Sequence, residues 1–497
     1  MKHSGIAKTT VFILTVMAAA LIAGCAVGPE YKPPKVETPE EYRFEAEPAA
    51  AVEAAPVVVD LKWWELFEDP ILYTLVMTAL ENNRDLKIAV SRIDQARAAL
   101  GFTQADIYPR VDVEGGIGTG NFGGGTRSPT TSTNAFLAVP LSWELDFWGK
   151  FRRATESAKA EMLASEYAYR AVQLSLISEV VGTYNSLLDF NQRLAISKET
   201  LESREKSLHI IQLRFDKGII HELDLNQAQI QREIAAASIP EQERSIALTE
   251  NALSILLGRL PEPIETGKRL SEQIPPPDIP TGLPSDILER RPDIVEALYL
   301  VEAQTEKIGV AVALRFPSIT LTGVLGVASS ELASITNEGG VWSVSGGLLG
   351  PLIDFDKNLS RVRLEEARTQ EALYRYENTV LNAFREVEDA LVEVETYRKQ
   401  IGAVGRQRKA AKNANYLSNE RYDKGVSSYL EVLETERQLF NVQLELSGLT
   451  RQYLNAYVNL YKALGGGWGT KEEMEAVKAA EAAEATEAPP SEPATSP

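Results

Sequence analysis

The sequence predicts an α+β protein in which β-hairpins alternate with very long coiled-coil helices, and in which one such unit is built twice. Three observations support this fold class: a five-residue turn motif that occurs twice, heptad repeats of leucine in proline-free stretches, and segments in which apolar and polar residues alternate. The two copies of the turn motif, 207 positions apart, are Arg214-Phe215-Asp216-Lys217-Gly218 and Arg421-Tyr422-Asp423-Lys424-Gly425.

The similarity between the two halves extends well beyond the turns. Leu257-Gly258 aligns with Leu464-Gly465 at the same offset of 207, and upstream Asp146-Phe147 aligns with Asp354-Phe355 at an offset of 208. One Lys-Gly turn alone would indicate only a helix end with glycine in the left-handed conformation. Two copies in register indicate an internal duplication, which fixes the architecture before individual elements are considered.

The N-terminus predicts a lipoprotein. Lysines precede an apolar run over 11–22, which is shorter than the roughly 20 residues of a spanning helix and typical of a signal peptide. Ile22-Ala23-Gly24-Cys25 resembles a lipobox, so we predict removal of residues 1–24 and lipidation of Cys25. Cys25 is the only cysteine, which excludes disulfides and cysteine-based metal sites. By analogy with bacterial lipoproteins, Ala26 at the next position permits sorting to the outer membrane.

Charge and composition exclude several functions. The net charge of −19 makes nucleic acid a poor partner, because phosphate binding needs clustered lysine and arginine. The mature chain keeps His209 and His221, which have no metal-ligand spacing. The glycine-rich stretch 115–125 opens no helix that could support a phosphate cradle, so we interpret it as a hairpin loop. We therefore predict no catalytic residue, no metal and no cofactor.

Two β-hairpins are predicted, over 110–147 and 317–355. Before the first hairpin, a predicted helix begins at Trp63-Trp64 and ends at Pro109. Within the hairpin, apolar residues alternate with polar ones from Leu137 to Phe147. This length matches a tilted outer-membrane strand of about 9–11 residues, although a single hairpin would also fit a half-buried soluble sheet. In the second, the alternation shifts phase after Gly346, which predicts a bulge. Four strands cannot close a barrel, and lipid tolerates no open edge, so membrane strands would require several chains to share one barrel.

A proline-free stretch of unusual length follows each hairpin. From about Gly149 to Phe215 there is no proline, and roughly 65 residues at about 1.5 Å each make a rod on the order of 100 Å. Apolar residues recur every seven positions in its second part, which is a coiled-coil period, at Leu187, Leu194, Leu201, Leu208 and Phe215. The second half repeats the pattern from about Leu359 to Tyr422, and a returning helix follows each turn. The predicted organisation is a signal peptide 1–24, an extended arm 25–62, a first repeat 63–258, a proline-rich connector 259–290, a second repeat 291–468 and a disordered acidic tail 469–497.

Acidic residues follow both turns. Glu431 and Glu434 are three positions apart and share one helix face, and the duplication places Asp224 at the position of Glu431. Around an oligomer axis such residues would form carboxylate rings that favour cations and repel anions. From the sequence alone, a pair of solvated surface acids explains them equally well.

These features together resemble the outer-membrane factor family of tripartite efflux and export systems, the TolC-like proteins, and within it the OprM-type lipoproteins. The resemblance covers nearly all of the mature chain to about Trp468. The residues that carry it, besides the two turns, are Cys25-Ala26-Val27-Gly28-Pro29-Glu30-Tyr31, Pro33-Pro34, Trp63-Trp64, Phe67, Asp69-Pro70, Leu72 and Leu288-Glu289-Arg290-Arg291-Pro292-Asp293-Ile294.

The resemblance implies a homotrimer in the outer membrane of a Gram-negative bacterium, with four strands from each chain in one 12-stranded barrel above a helical periplasmic tunnel. It implies that a periplasmic adaptor docks at the turns 214–218 and 421–425, and that the inner-membrane pump is of the RND type. By the same resemblance, the residues that close the tunnel are Asp224, Tyr422, Ser427, Glu431 and Glu434. Ser427 departs from the family, which commonly has aspartate or arginine there.

The predicted function is that of a passive conduit, which exports drugs or other small molecules when an adaptor and an energised pump engage it. A periplasmic coiled-coil lipoprotein with a structural role is the main alternative, and a channel for protein secretion is another. A hydrolase using His209 or His221 is more remote. The sequence does not identify the substrate, because the pump generally selects it.

Overall fold

The computed structural model describes residues 26–44, 69–123, 126–273, 284–329 and 340–466. The helices, numbered in chain order, are α1 Pro70–Asn82, α2 Arg84–Ala105, α3 Lys150–Asp216, α4 Glu222–Leu256, α5 Ile287–Arg290, α6 Pro292–Ala313, α7 Lys357–Asp423 and α8 Tyr429–Ala463. The strands are β1 Arg110–Val111, β2 Glu114–Gly123, β3 Thr126–Leu145, β4 Ser318–Ser329 and β5 Gly340–Leu349. Short 3₁₀ turns occur at Leu270–Glu272 and Pro284–Asp286.

The predicted α+β class and the internal duplication are confirmed. Helices α3 and α7 have 67 residues each, α4 and α8 have 35 each, and α2 and α6 have 22 each. Each second copy begins 207 or 208 positions after the first. Equal lengths in both halves show that the duplicated unit is a strand region followed by a helical hairpin. The signal peptide 1–24, Cys25 and the tail 469–497 lie outside the described residues.

Contact analysis divides the chain into two compact units. The first comprises Met1–Val36, Val90–Ala168 and Val295–Thr379, and it contains the sheet. The second comprises Glu37–Ala89, Tyr169–Ile294 and Val380–Pro497, and it contains both turns. No helix in the described ranges combines the length and apolar character that crossing a membrane requires.

The sheet of the first unit is antiparallel throughout. β1 and β2 both pair with β3, β3 pairs with β4, and β4 pairs with β5. The amide of Asp112, between β1 and β2, donates to the carbonyl of Pro140 at 3.0 Å, so these two segments act as one interrupted strand. Among the residues that the structure describes, β2 and β5 each have a strand neighbour on one side only.

The predicted loop over the glycine-rich stretch 115–125 is wrong, because β2 runs from Glu114 to Gly123. The glycines leave room for side chains of the neighbouring strand. A Cβ on Gly116 would lie 2.8 Å from the Phe136 ring, and one on Gly115 would lie 3.3 Å from Leu137 Cδ1. Packing against β3 therefore overrides the low strand propensity of glycine.

The predicted bulge in the second hairpin is also wrong. β4 and β5 pair without interruption from Ser318↔Leu349 to Val327↔Gly340, and β5 ends at Leu349. The phase change in the sequence marks the end of the strand, since Phe355 and Asp356 take left-handed φ values of 48° and 63° just before α7. The register shift lies in the first hairpin, between Gly120 and Phe122.

The first helix in the described residues begins at Pro70. Asp69 has extended dihedral angles, and its carboxylate accepts the amides of Ile71 and Leu72 at 3.0 and 3.4 Å, which caps a helix that starts at Pro70. Trp63, Trp64 and Phe67 lie outside the described residues. The predicted continuous helix to Tyr108 is interrupted at Asn83, which separates α1 from α2.

Equivalent residues of the two halves hold the ends of the returning helices. Asn83 Nδ2 donates to the carbonyl of Leu256 at 2.9 Å, and Arg291 Nη1 donates to the carbonyl of Ala463 at 3.1 Å. Both carbonyls belong to the last residue of a helix, where no intrahelical donor is available. The short helix α5, inside the predicted connector 259–290, aligns with the last turn of α1, so the second repeat retains a remnant of the first helix.

Four helices end in the same way. In each case a glycine with φ between 71° and 76° donates its amide three residues back, and the next amide donates five residues back, which is the Schellman motif. The four glycines are Gly218, Gly258, Gly425 and Gly465. The first and third form the predicted turns, and the other two end the returning helices.

The main apolar core lies in the second unit and surrounds a buried tyrosine. Tyr184 Oη donates to Asp69 Oδ2 at 2.9 Å and accepts the amide of Gly267 at 2.9 Å. Gln273 Nε2 donates to the same carboxylate oxygen at 3.0 Å. These bonds fix the first part of the connector on the helical core, where a Cβ at position 267 would clash with Asp69.

Two of the Schellman glycines form a matched pair for a stability test. We expect Gly218→Ala to cost about 1 kcal/mol, because its Cβ would have nothing within 4 Å and only the left-handed backbone is strained. Gly258→Ala should cost several times more, because its Cβ would lie 2.7 Å from the carbonyl carbon of Asn82. Thermal unfolding of the detergent-solubilised protein, followed by circular dichroism, measures both; equal shifts would contradict this packing argument.

Candidate functional site

The arm that follows the predicted lipidation site lies against the junction between β3 and α3. Cys25 itself lies outside the described residues, but the amide of Val27 donates to the carbonyl of Trp148 at 3.1 Å. Gly149 has a φ of 77°, and a Cβ there would lie 2.7 Å from Ala26 Cα. The chain therefore emerges from position 25 beside the end of a strand, where a lipid anchor is compatible with membrane strands.

An aromatic contact joins the bases of the two hairpins at the same junction. The Trp148 ring stacks on Phe316 at 4.5 Å, and its Nε1 donates to the carbonyl of Pro317 at 2.8 Å. Next to the arm, Arg153 Nη1 donates to Glu306 Oε2 at 2.6 Å inside the helical layer. Burial raises the pKa of Glu306 to about 7, although Arg153 acts in the opposite direction.

The two predicted turns are held together by one apolar cluster, which we call the tip cluster. Its buried members come from α3, α4 and α8, and they are Ile211, Leu225, Ala228, Tyr429, Val432 and Leu433, with Leu208, Phe215, Ile220 and Tyr422 packed against them. Phe215 and Tyr422 occupy equivalent positions in the two motifs. The structure thus brings both motifs into one site, as the duplication requires, and burial of aromatic and aliphatic side chains supplies its main attraction.

Arg214 links the first turn to the second. Its guanidinium carbon lies 4.7 Å from the centre of the Tyr422 ring, and Nη2 lies 3.8 Å from Asp423 Oδ1. The Tyr422 ring is in turn 5.3 Å from the Tyr429 ring. These contacts combine a cation–π interaction with a loose, exposed ion pair.

The equivalent arginine of the second motif behaves differently. Arg421 Nε lies 3.0 Å from Glu431 Oε1, so this arginine pairs with the returning helix of its own hairpin. Asp224, the counterpart of Glu431, forms no ion pair within the described part of the chain. Aspartate is one methylene shorter than glutamate. The duplicated motif therefore supports two different sets of contacts, which the aligned sequences did not indicate.

The predicted acidic residues carry their own counter-charges. Glu434 is exposed and pairs with Arg437 on the same helix, with Nη2 2.7 Å from Oε2, and Gln438 also donates to it. Hydrogen bonds from Arg437 and then Gln438 lower the pKa of Glu434. Glu431 is paired with Arg421. The arrangement of these acids in rings stays a prediction.

Two hydroxyl groups at the site have no hydrogen-bond partner among the described residues. They are Tyr422 Oη and Ser427 Oγ, both shielded from solvent in the single chain. Ser427 and Tyr422 are among the residues that the resemblance implies close the tunnel. A hydroxyl that is buried without a partner is costly, so both side chains are suited to contacts that one chain does not supply.

Exposed apolar residues beside the turns were missed by the sequence analysis. Ile219 and Val426 follow the two Schellman glycines and are 67% and 65% exposed, and Leu223 and Leu430 are 65% and 61% exposed. They occupy equivalent positions in the two halves. Their repeated spacing after each glycine was the available signal.

The described residues contain no group of three or more histidine, cysteine, aspartate or glutamate side chains arranged to hold a metal ion. His221 precedes α4 at the N-cap position but makes no capping hydrogen bond with its side chain.

Comparison with known proteins gives consistent matches along both halves. The family model for outer membrane efflux proteins matches residues 75–259 and 283–466, which are the two repeats. The probable outer membrane lipoprotein SilC of Salmonella typhimurium is 34% identical over 460 residues, covering 92% of this chain and 98% of SilC. TtgC of Pseudomonas putida, a probable efflux pump outer membrane protein, is 33% identical over 91% of this chain and 94% of its own length.

The third relative is the cation efflux system protein CusC of Escherichia coli, which is 33% identical over 92% of this chain and 99% of its own length. A solved CusC structure matches with a TM-score of 0.78 and 32% identity, covering 89% of this chain and all of that chain. Sequence and structure comparisons therefore agree over almost the whole length.

Glu431 and Glu434 offer a test of what the acids do. Both Glu431→Gln and Glu434→Gln remove one charge, so we expect both to weaken cation preference in planar bilayers. Only Glu431→Gln should also raise single-channel conductance, because it breaks the pair with Arg421 on the opposite helix. Reversal potentials and conductances measure the two effects separately. Equal conductance in the two variants would show that the Arg421 contact does not hold the turns.

Proposed function

Because the chain belongs to the family of outer membrane efflux proteins, we propose that three copies of it form one conduit that opens at the paired turns. The chain is the outer-membrane channel of a tripartite efflux system and resides in the outer membrane of a Gram-negative bacterium. Cys25 carries the lipid anchor in this proposal, and the arm from Ala26 lies along the junction beside Trp148.

The observation that carries the trimer is the sheet with one neighbour at each edge strand. In lipid, main-chain amides and carbonyls without partners cost several kcal/mol each, so an open sheet is not viable there. Pairing β2 of one copy with β5 of the next satisfies both edges. Three copies of four strands, counting β1 and β2 as one, give a barrel of 12.

The turns form the periplasmic end in this proposal, where an adaptor docks on Ile219, Leu223, Val426 and Leu430. The ion pairs that hold the turns, Arg214–Asp423 and Arg421–Glu431, are solvent-exposed, and such pairs contribute about 0.2–1 kcal/mol each. Closure that rests on contacts this weak can be reversed by the binding of one partner. An inner-membrane pump, of the RND type in this proposal, supplies the energy, and no chemical step is assigned to this chain.

The transported substrate class is left open by the comparisons. CusC is named for cation efflux and TtgC is named more generally for an efflux pump, and each is 33% identical to this chain. Equal identity favours neither class. The proposal is therefore limited to small molecules selected by the pump.

The trimer proposal and the alternative of a periplasmic scaffold predict different solubilities for the protein. We expect the mature protein, prepared without its lipid by replacing Cys25, to need detergent and to migrate in SDS as a trimer until heated. A barrel closed by main-chain hydrogen bonds resists SDS for that reason. Sedimentation and unheated gels measure both properties. A monomer that is soluble without detergent would contradict the shared barrel.

Docking of an adaptor is testable by crosslinking in cells that contain the pump. Cysteine is introduced at exposed Lys424, and Cys25 is kept as the lipidation site. The new cysteine should form a crosslink to a periplasmic protein with a coiled-coil hairpin. Ser427 is less suitable, because its Oγ is buried. Cysteine at exposed Lys412, about 18 Å along the helix from the turn at 1.5 Å per residue, serves as the control. Equal capture at both positions would count against docking at the turns.

A further inference from the structure

Two buried polar side chains and one half-buried glutamine lie where α3, α4 and α8 meet next to the tip cluster, and we call them the buried polar cluster. They are Arg204, which is 3% exposed, Glu436, which is 9% exposed, and Gln231. Arg204 Nη1 donates to the main-chain carbonyl of Gln231 at 2.5 Å, and its guanidinium carbon lies 5.1 Å from the Phe440 ring. No function assigned so far uses these residues.

The buried polar cluster leaves four polar atoms without hydrogen-bond partners among the described residues. Arg204 has two such atoms, Nε and Nη2, which form one edge of the guanidinium, and the other two are Glu436 Oε2 and Gln231 Oε1. A buried charge without a full set of partners is strongly destabilising. Burial accordingly lowers the pKa of Arg204 and raises that of Glu436, and each of the two charges partly offsets the effect on the other.

The other half of the molecule does not repeat these charges. The duplication places Ala411 at the position of Arg204 and Gln229, which is exposed, at the position of Glu436. Ala411 is buried as Arg204 is. The charged pair is therefore a feature of one hairpin junction only.

Electrostatic influence on Tyr429, followed by ring contacts, joins the buried polar cluster to the turns. Arg204 and Glu436 both act electrostatically on Tyr429, whose pKa is raised first by burial and then by Glu436. Tyr429 and Glu436 are seven residues, or about two turns, apart on α8, so they lie near the same face and move together. The Tyr429 ring contacts Tyr422, and Tyr422 contacts Arg214 of the first turn.

We propose that Arg204 and Glu436 are a two-position switch, in which the unoccupied Nε–Nη2 edge of the guanidinium binds the Glu436 carboxylate when α8 shifts against α3. This edge presents two parallel N–H groups, the geometry that takes a carboxylate in a bidentate way. The same shift displaces Tyr429 from Tyr422 and loosens the contacts of the turns. The inference rests on the proposed function, because it assumes that the turns close the conduit.

Two arrangements then compete for one segment of α8. In the structure described here, the turns keep their ring contacts and ion pairs, and the buried charges stay apart. In the second arrangement, the buried charges pair and the turns are released. Each arrangement satisfies groups that the other leaves unsatisfied, which makes the segment bistable, and an adaptor needs only to tip the balance.

The test is the open probability of the purified protein in planar bilayers, with Glu436→Gln as the main variant. Glutamine removes the charge that favours pairing. It is also the residue at the equivalent position of the first half, Gln229. We expect about tenfold fewer openings, because a charge-assisted pair is lost only from the released arrangement. Glu445→Gln, at an exposed acid of the same helix, is the matched control and should behave as the wild type.

Arg204→Lys provides a second variant that keeps the positive charge but has no two-donor edge. It should also lower the open probability. The open probability of the double variant should equal that of the more affected single variant, because both changes remove the same pair. Arg421→Gln should act in the opposite sense and open the turns. Unchanged or increased opening in Glu436→Gln overturns the switch.

The failure of the switch and of the proposed function are distinguishable. If the wild-type protein forms no pore in the bilayer, the proposed function is wrong, and so is the switch. A wild-type pore whose Glu436→Gln variant matches the Glu445→Gln control removes the switch alone.

Discussion

The requirement that main-chain hydrogen bonds be satisfied at both edges of a sheet is the constraint on which the rest of this molecule depends. β2 and β5 have one neighbour each in the part of the chain that the structure describes, and lipid offers no water to replace the missing partners. In the proposed trimer, each copy therefore pairs the edge strands of its sheet with those of its neighbours. The duplicated unit, a strand region followed by a helical hairpin, fits that arrangement because each copy contributes the same pieces twice.

In the proposed conduit, an apolar cluster and weak ion pairs hold the turns together, next to buried polar groups that are not fully satisfied. The tip cluster provides apolar attraction, whereas the ion pairs of Arg214 and Arg421 are exposed and contribute little individually. Just inside, Arg204 and Glu436 hold opposite charges without a direct bond. A permanently sealed structure would favour strong, fully paired contacts at both levels. A structure that a partner must open is better served by the balance seen here.

The sequence predicted the duplication, the long helices and the turns because these depend on periodicity and on local backbone chemistry. Glycine after Lys217 and Lys424 is required by the left-handed helix ends, so the turns could be located to the residue. Gly116 was misassigned to a loop because its role is to accommodate Phe136 of another strand, a long-range contact that propensity does not register. The different partners of Arg214 and Arg421 depend on one methylene group and on the register between hairpins. The buried polar cluster was missed because Arg204 and Glu436 look like ordinary charged residues of a solvated helix face.

The equal lengths of the corresponding helices limit how such a molecule can change in evolution. α3 and α7 have 67 residues each and α4 and α8 have 35 each. Seven residues added to α3 alone would carry its turn about 10 Å beyond the other and shift its pairing with α4 by one heptad. A compensated change needs matching insertions in both limbs of both hairpins. The length of the helical hairpins therefore changes in discrete steps. Coordinated genetic events alter it, and single ones rarely do.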